Sequence, residues 1–393
     1  MTALNPHYGE LKDSYLFYNI AQRTAAYQAA HPDAKLYRLG IGDVSLPLCP
    51  VVIEALHKAV EEQAHKETFH GYMPECGTQF LREAVCAHYA SRGVTLEADE
   101  IFITSGAGDD LGNVLDIFHA DSTALVLEPA YPAYVDTNIM AGHRVLHQAA
   151  GQENGFLPLP DANCKADLIY ICSPNNPTGA AYSREKLQRW VDHANATGAV
   201  IVFDAAYEAF IEDPDVPHSI YELPGAKTCA IEICSLSKTA GFTGMRCGYT
   251  VMPKALVRGQ AVHSLWVRDR TTKSNGVSYI LQRGAEAVFT PEGQRQTQQA
   301  IAVYKQNAKV LMQALDRIGL WYCGGKNAPY LWVKCPDGMG SWAGFDLLLN
   351  EAQIVCVPGE GFGACGEGYL RFSAFGDVQD TVEAAHRLEK LLG

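Results

Sequence analysis

One lysine in this sequence stands among residues that could hold a phosphorylated aldehyde. Lys238 follows Ser235 and Ser237 in a stretch of small and hydroxylic residues, and Arg246 comes eight positions later. A lysine with few carboxylates nearby can lose its proton and form a Schiff base, and serine and arginine side chains can bind a phosphate dianion. Taken alone, this stretch is explained equally well as an exposed lysine in a loop.

The size and composition of the whole chain are those of a soluble globular enzyme. The 393 residues, 48% of them hydrophobic, can bury a large core, and the net charge of −13 argues against nucleic acid or an anionic membrane as partner. There is no apolar run of about eighteen residues and no apolar leader segment. Twelve scattered cysteines and histidines without a ligand pattern indicate reduced thiols in a cytoplasmic protein and no metal site.

Apolar, β-rich runs alternate with helical segments in the middle of the chain. This alternation predicts a parallel or mixed sheet covered by helices on both faces. The predicted strands are 100–104, 123–127, 168–172, 199–203 and 229–234, and the predicted helices include 109–118 and 183–196. We expect Ser183 to cap the N-terminus of the second of these helices.

The two ends of the chain predict a different architecture from its middle. We predict an N-terminal arm at 1–45, a large domain at 46–284 and a small α+β domain at 285–393, with the arm packed against the small domain. The small domain is expected to contain a long helix at 294–317 and strands at 330–334, 354–357 and 369–373. The predicted fold class is therefore α/β, with a mostly parallel sheet in the large domain and a smaller α+β domain.

Polar segments follow three predicted strands at the points where the strands end. These segments are Ser173-Pro-Asn-Asn-Pro-Thr-Gly179, Asp204-Ala-Ala-Tyr207 and Ser235-Leu-Ser-Lys238. Ligands of such sheets collect at the carboxyl ends of the strands, so this order favours Lys238 as a site residue. A small-residue turn at 105–108, between a strand and a helix, could bind an anion through its backbone N–H groups, although an ordinary turn explains it equally well.

Pyridoxal phosphate needs this set of groups together. Its aldehyde needs a lysine, its pyridine nitrogen a carboxylate, its phenolate oxygen hydrogen-bond donors and its phosphate an anion pocket. The candidates are, in that order, Lys238, Asp204, Tyr207 with Asn176, and the 105–108 turn with Ser235, Ser237 and Arg246, while Tyr131 could stack on the ring. Each also has a structural explanation: Asp204 as a loop cap, Asn176 as a turn former and Tyr131 as a core aromatic.

The motifs Asn176-Pro-Thr-Gly179, Asp204-x-x-Tyr207, Ser235-x-Ser-Lys238 and Arg246 together resemble the fold-type I pyridoxal-phosphate aminotransferases. More narrowly, Tyr15-Leu-Phe17, Leu39-Gly-Ile-Gly-Asp43, Ser237-Lys-Thr-Ala-Gly-Phe-Thr-Gly244 and Ala328-Pro-Tyr-Leu-Trp-Val-Lys334 resemble the LL-diaminopimelate aminotransferase family. This resemblance implies transfer of an amino group between glutamate and tetrahydrodipicolinate, which gives LL-diaminopimelate and 2-oxoglutarate.

The resemblance also implies a role for each site residue. Lys238 would be the Schiff-base lysine and the catalytic base. The implied cofactor contacts are Ala107, Gly108, Tyr131, Asn176, Asp204, Tyr207, Ser235, Ser237, Lys238 and Arg246, with Tyr72 from a partner subunit. The implied substrate contacts are Tyr15, Gly42, Tyr72, Glu75, Tyr131, Asn176, Asn275 and Arg371, the last as the fork that binds a substrate carboxylate.

A homodimer with shared active sites is a further implication of the resemblance. In it Tyr72, Glu75 and Asn275 would reach into the partner's pocket, where Glu75 would hold the distal ammonium of diaminopimelate, a group that glutamate lacks. The chain departs from the family pattern at Gly108, where a lysine is usual. Because Asp109 and Asp110 follow it, we expect weaker phosphate binding at this turn.

Two other functions stay open at this point. One is an aminotransferase or C–S lyase that acts on another amino acid. The other is a regulatory protein that only binds pyridoxal phosphate. The presence of Lys238, Asp204 and Arg246 disfavours the regulator, because a pure binder does not need the Schiff-base lysine.

Overall fold

The computed structural model describes residues 2–11, 16–40 and 42–393, which form strands and helices along most of their length. The strands are β1 Tyr37–Arg38, β2 Ile101–Thr104, β3 Thr123–Glu128, β4 Arg144–Ala149, β5 Leu168–Cys172, β6 Val200–Asp204, β7 Ala230–Ser235, β8 Gly248–Val251, β9 Val257–Arg258, β10 Gln260–Ala261, β11 Tyr322–Gly324, β12 Tyr330–Lys334, β13 Ile354–Val355, β14 Val357–Pro358 and β15 Tyr369–Ser373. The α-helices are α1 Leu16–Ala30, α2 Pro50–Glu62, α3 Gln79–Ala90, α4 Ala107–Asn113, α5 Ala133–Ala141, α6 Arg184–Thr197, α7 Leu236–Ala240, α8 Val262–Lys273, α9 Tyr279–Phe289, α10 Pro291–Ile318, α11 Ser341–Ala352 and α12 Val378–Leu392.

A seven-stranded sheet in the order β2-β8-β7-β6-β5-β3-β4 forms the centre of the molecule. β8 is antiparallel to β2 and β7, and the other neighbouring strands are parallel. Successive residues of a strand face opposite sides, and both sides are covered here: Ile201 and Phe203 lie in one apolar cluster, Val200 and Val202 in another. The predicted α/β class is confirmed.

A second, antiparallel sheet has the order β11-β12-β15-β14. Leu331 and Phe372 of this sheet share an apolar cluster with Leu311 of α10, Phe345 of α11 and Leu388 of α12. The N-terminal part of the chain joins the same unit, because β1 pairs with β13 and α1 packs on α11. The domain bounds themselves stay a prediction.

The long helix α10 links the two sheets. Its first turn is fixed by Thr290, whose hydroxyl accepts a hydrogen bond from the Gly293 N–H at 3.1 Å, and by Pro291. Near that end the Gln296 side chain accepts a bond from the Val51 N–H at 3.1 Å, whereas the other end packs on α12. Within the described part of the chain, no helix has the length and apolarity needed to cross a membrane.

Two strands of the central sheet were not predicted from the sequence. β4 lies at the sheet edge, where Arg144, His147 and Gln148 interrupt the apolar pattern. β8 has only four residues and begins at a glycine, so the sequence does not separate it from the glycine-containing turn before it. The predicted helix at 109–118 is also shorter than expected, because α4 ends at Asn113 and a 3₁₀ turn follows at Val114–Ile117.

Gly179 marks a close approach between the two sheets. It follows β5 in the segment that carries Asn176, and its φ of +67° lies in the left-handed region. A Cβ at this position would lie 2.2 Å from the Tyr330 carbonyl oxygen and 2.8 Å from the Gly324 Cα, so the loop contacts the backbone of the small sheet directly.

We predict that Gly179→Ala lowers the free energy of unfolding by about 3 kcal/mol or more, since it adds an overlap with fixed backbone to the strain of a left-handed alanine. Gly198→Ala is the matched control, because Gly198 has a φ of +84° but no atom of the described residues lies within 4 Å of the added Cβ. We expect the control to lose only about 1 kcal/mol. Denaturant titration of both variants measures the difference, and equal losses would contradict the close approach.

Candidate active site

The carboxyl ends of β5, β6 and β7 lie side by side at one edge of the central sheet. The ladder pairs Cys172 of β5 with Asp204 of β6, and Asp204 with Ile233 of β7. β7 continues into the short helix α7, which carries Lys238. The three polar segments predicted at strand ends therefore meet at this edge.

Lys238 is half-buried at this edge, with its Nζ 5.8 Å from the centre of the Phe375 ring. Burial lowers the pKa of Lys238 to about 8, and the positive charges of Arg371 and Arg246 act in the same direction while Asp43 opposes them. Half of these side chains are then neutral near pH 8, and a neutral amine is the form that attacks an aldehyde.

Asp204 is a buried carboxylate held by neutral donors. Its Oδ2 accepts a hydrogen bond from the Tyr134 hydroxyl at 2.6 Å, and its Oδ1 accepts one from the Ala206 N–H at 3.0 Å. Burial raises the pKa of Asp204, and these two bonds oppose that rise. Asp204 forms no ion pair within the described ranges of the chain, so a cationic ligand nitrogen would complete its environment.

Arg371 enters the same region from β15 of the small sheet and is only 2% exposed. Its Nη1 donates to the Asn176 Oδ1 at 2.8 Å, and its Nη2 donates to the Gly40 carbonyl at 3.0 Å. The Arg371 Nε has no hydrogen-bond partner, and no carboxylate pairs with the guanidinium among residues 2–11, 16–40 and 42–393. A buried cation with a free N–H is a site for an anion.

The turn predicted to bind an anion lies against Arg246. Gly106 has a φ of +123°, and a Cβ on it would come within 2.6 Å of the Arg246 Nη2. A Cβ on Gly248 would lie 3.3 Å from the Ala107 nitrogen, and Gly248 pairs with Ser235 in the β7–β8 ladder. Ser235 caps α7 by accepting a bond from the Ser237 N–H at 3.1 Å. The structure thus brings the predicted phosphate contacts together.

The carboxylates after Gly108 differ from expectation. Gly108 is exposed with open space around it, so a longer side chain would fit there. Asp110, however, is fully buried: it accepts a bond from the Thr250 hydroxyl and lies 3.6 Å from the Arg270 guanidinium. Burial raises the pKa of Asp110 to about 6. Of the two carboxylates, only that of Asp109 is exposed beside the turn, whereas Asp110 lies beside a cation, and the expected weakening of phosphate binding stays a prediction.

Three predicted partner-directed residues lie on one surface. Tyr72 is 88% exposed, Asn275 is exposed and Glu75 is half-buried. Their loops touch, because a Cβ on Gly276 would lie 2.6 Å from the Pro74 carbonyl oxygen. In the described ranges none of the three forms a hydrogen bond or ion pair with Lys238, Asp204 or Arg371. Within one subunit they are thus not joined by such a bond to the group formed by Lys238, Asp204 and Arg371.

The remaining predicted contacts have mixed outcomes. Gly42 lies beside Arg371, since a Cβ on it would be 3.7 Å from the Arg371 Nη2. Tyr131 is half-buried, and its ring meets the edge of the Tyr134 ring at 5.7 Å. Tyr15 lies outside the described residues, and its predicted role stays untested.

Two tyrosines in this region, Tyr330 and Tyr134, were not predicted as site residues. The Tyr330 hydroxyl lies 3.1 Å from the hydroxyl of Tyr207, and the Tyr134 hydroxyl donates a hydrogen bond to Asp204. Tyr330 also carries the Arg371 guanidinium on its ring, 4.5 Å from the centroid. Tyr330 lies in the Ala328–Lys334 segment that carries the family resemblance. In the sequence it is one residue of an apolar predicted strand, and nothing there marks it as a site residue.

Comparison with known proteins first gives the class. Residues 34–388 match the family model described as aminotransferase class I and II, and the chain belongs to that family. Curated relatives named LL-diaminopimelate aminotransferase are 51% identical in Lachnospira eligens and 50% identical in Parabacteroides distasonis, each over 100% of both chains. The solved L,L-diaminopimelate aminotransferase from Chlamydomonas reinhardtii is 41% identical with a TM-score of 0.94, over 100% of this chain and 99% of that one. The resemblance found in the sequence is confirmed.

We predict that Lys238 in protein without bound aldehyde is acylated with a pH midpoint near 8, because its pKa is lowered to about 8 by burial. Competitive labelling with acetic anhydride, followed by mass spectrometry of the Lys238 peptide, measures this midpoint. The same peptide in denatured protein is the reference, with an expected midpoint of about 10.4. Equal midpoints in the folded and denatured protein would show that Lys238 is not desolvated.

Proposed function

We propose that this class I and II aminotransferase transfers an amino group between glutamate and tetrahydrodipicolinate through pyridoxal phosphate, with LL-diaminopimelate and 2-oxoglutarate as the products. One observation carries the proposal: Lys238, Asp204 and Arg371 converge at the carboxyl edge of the sheet without forming ion pairs with other described residues. The full-length similarity to curated LL-diaminopimelate aminotransferases supports the substrate.

The residues present fit pyridoxal phosphate. Lys238 would hold its aldehyde, Asp204 its pyridine nitrogen and Arg246 its phosphate. The contact between Gly106 and the Arg246 guanidinium supports the assignment of Arg246 to the phosphate. Any side chain at Gly106 would fill the space beside this guanidinium. When bound, the cofactor supplies an electron sink for the substrate's α-carbon.

The chain's own groups then bind the substrate and move its proton. The Arg371 fork would bind the α-carboxylate through its free N–H, while Asn176 and the Gly40 carbonyl keep the guanidinium in place. The Lys238 Nζ would take the α-proton and return it, and its lowered pKa of about 8 suits both steps near neutral pH. Asp204 and Arg371 are buried and Lys238 is half-buried, which limits the access of water to the exchange.

The substrate's far end is the part of the proposal that needs a second subunit. We infer a homodimer in which Tyr72, Glu75 and Asn275 complete the partner's pocket, because all three lie on one surface and Tyr72 is 88% exposed. Glu75 would pair with the distal ammonium of diaminopimelate. The proposal places the enzyme in the cytoplasm, where its twelve free cysteines would stay reduced.

We predict that the purified holoenzyme converts LL-diaminopimelate and 2-oxoglutarate to glutamate, with a change in cofactor absorbance when LL-diaminopimelate alone is added. Coupled glutamate detection measures turnover. A panel of other amino acids, including cysteine-derived thioethers, serves as the comparison. An absorbance change with one of these but none with LL-diaminopimelate would support the alternative substrate or the C–S lyase and reject the proposal.

Two substitutions separate the proposed roles. Lys238→Ala should lower kcat at least about a thousandfold, because it removes the base. Glu75→Gln should lower kcat/KM for LL-diaminopimelate about tenfold or more and leave glutamate nearly unchanged, because only the former has a distal ammonium. Glu67→Gln, at an exposed position nearby, is the control and should behave as wild type. Equal losses for both substrates would contradict the role of Glu75.

Mixed dimers test the shared site. In a hybrid dimer, the Glu75→Gln subunit keeps Lys238 and the Lys238→Ala subunit keeps Glu75. These two residues meet in one intact site only if Glu75 acts in the partner's pocket. Random reassociation of equal amounts should then restore about a quarter of wild-type activity with LL-diaminopimelate. Activity below that of the Glu75→Gln enzyme alone would show that Glu75 acts in its own subunit.

A further inference from the structure

Tyr330 connects the two halves of the proposed site. It lies on β12 of the small sheet and is 1% exposed. Its hydroxyl is 3.1 Å from the Tyr207 hydroxyl of the central sheet region, and its ring lies under the Arg371 guanidinium at 4.5 Å. One side chain thus contacts both the tyrosine assigned to the cofactor and the arginine assigned to the substrate.

We propose that Tyr330 is a positioning residue with two separable functions: its hydroxyl directs the proton of Tyr207, and its ring holds Arg371 in place. The inference rests on the proposed function, since it concerns the roles assigned there to Tyr207 and Arg371. It makes Tyr330 the physical link between the cofactor side and the carboxylate side of one pocket.

The first function follows from the direction of the hydrogen bond between the two hydroxyls. If Tyr207 donates its proton to the cofactor's phenolate oxygen, its own oxygen must accept from Tyr330. Burial raises the pKa of both tyrosines, but the Arg371 charge offsets part of this rise for Tyr330, while the Asp204 and Cys172 groups raise both. The Arg371 cation over the Tyr330 ring favours Tyr330 as the donor, and donation to Tyr207 would strengthen the next bond in the chain.

The second function follows from how Arg371 is packed. The guanidinium carbon lies over the rings of Tyr330 and Phe362, 4.5 Å and 5.0 Å from their centres. Stacking of this kind leaves the edge of the guanidinium available for hydrogen bonds, which here go to Asn176 and Gly40. Without the Tyr330 ring, the guanidinium loses one of these two ring contacts and its fork can tilt away from a carboxylate.

Two substitutions of Tyr330 separate these functions. Tyr330→Phe removes only the hydroxyl, whereas Tyr330→Leu removes the hydroxyl and the ring. Two quantities are measured. The first is the titration midpoint, the pH at which the change in cofactor absorbance of the holoenzyme is half complete, and the second is the calorimetric Kd for 2-oxoglutarate. Tyr182→Phe is the matched control, because Tyr182 is 2% exposed and donates to the Pro158 carbonyl at 2.7 Å outside the site.

We expect Tyr330→Phe to raise the titration midpoint by about 0.5 to 1 pH unit, since a weaker bond from Tyr207 stabilises the phenolate less. Its affinity for 2-oxoglutarate should stay within about twofold of wild type. Tyr330→Leu should show the same midpoint shift and bind 2-oxoglutarate about tenfold more weakly. Tyr182→Phe should change neither quantity.

An unchanged midpoint in Tyr330→Phe would overturn the hydroxyl function, and unchanged 2-oxoglutarate binding in Tyr330→Leu would overturn the ring function. A shift of the same size in Tyr182→Phe would also contradict the first function, because the shift would then follow from loss of any buried hydroxyl. Neither readout uses diaminopimelate. A failure of the substrate assignment is therefore distinguishable from a failure of this inference.

Discussion

Three ionisable side chains, the half-buried Lys238 and the buried Asp204 and Arg371, form no ion pair among the described residues. Burial lowers the pKa of Lys238 to about 8 and raises that of Asp204, and Arg371 is only 2% exposed. Unpaired buried charges oppose folding, so the surrounding structure must hold them in place. Each lacks a different partner: an aldehyde carbon, a cationic ring nitrogen and a carboxylate. Pyridoxal phosphate would supply the first two and an amino-acid substrate the third, which is why the site suits amino-group transfer.

The fold meets this constraint by joining two sheets at one loop. Lys238 and Asp204 belong to the carboxyl edge of the central sheet, whereas Arg371 comes from β15 of the small sheet. The segment after β5 connects them, because Asn176 accepts a bond from Arg371 and Gly179 contacts the backbone of β11 and β12. The pocket therefore exists only while the two sheets are docked. A change in their packing would alter both sides of the site, because Tyr330 of the small sheet contacts Tyr207 as well as Arg371.

The sequence predicted the parts of the site that local pattern controls. Lys238, Asp204 and the 173–179 segment follow apolar strands, so their meeting at one edge follows from parallel topology. Contacts between distant segments could not be predicted: Tyr207 and Tyr330 are 123 residues apart, and Tyr134 and Asp204 are 70 apart. Two adjacent residues of the same type can also have different functions, which the sequence alone does not show. Asn175 forms the turn by accepting bonds from Thr178, which leaves the Asn176 side chain for Arg371. Asp110 is buried with Thr250 and Arg270, whereas Asp109 faces solvent.

The central claim is that Lys238 is the residue that carries the cofactor. Reduction of the holoenzyme with borohydride would make its bond to the cofactor permanent, and peptide mapping by mass spectrometry would then locate the added mass. The structure predicts a single modified site, on the peptide that contains Lys238. Added mass on a different lysine, with the Lys238 peptide unmodified, would contradict the account.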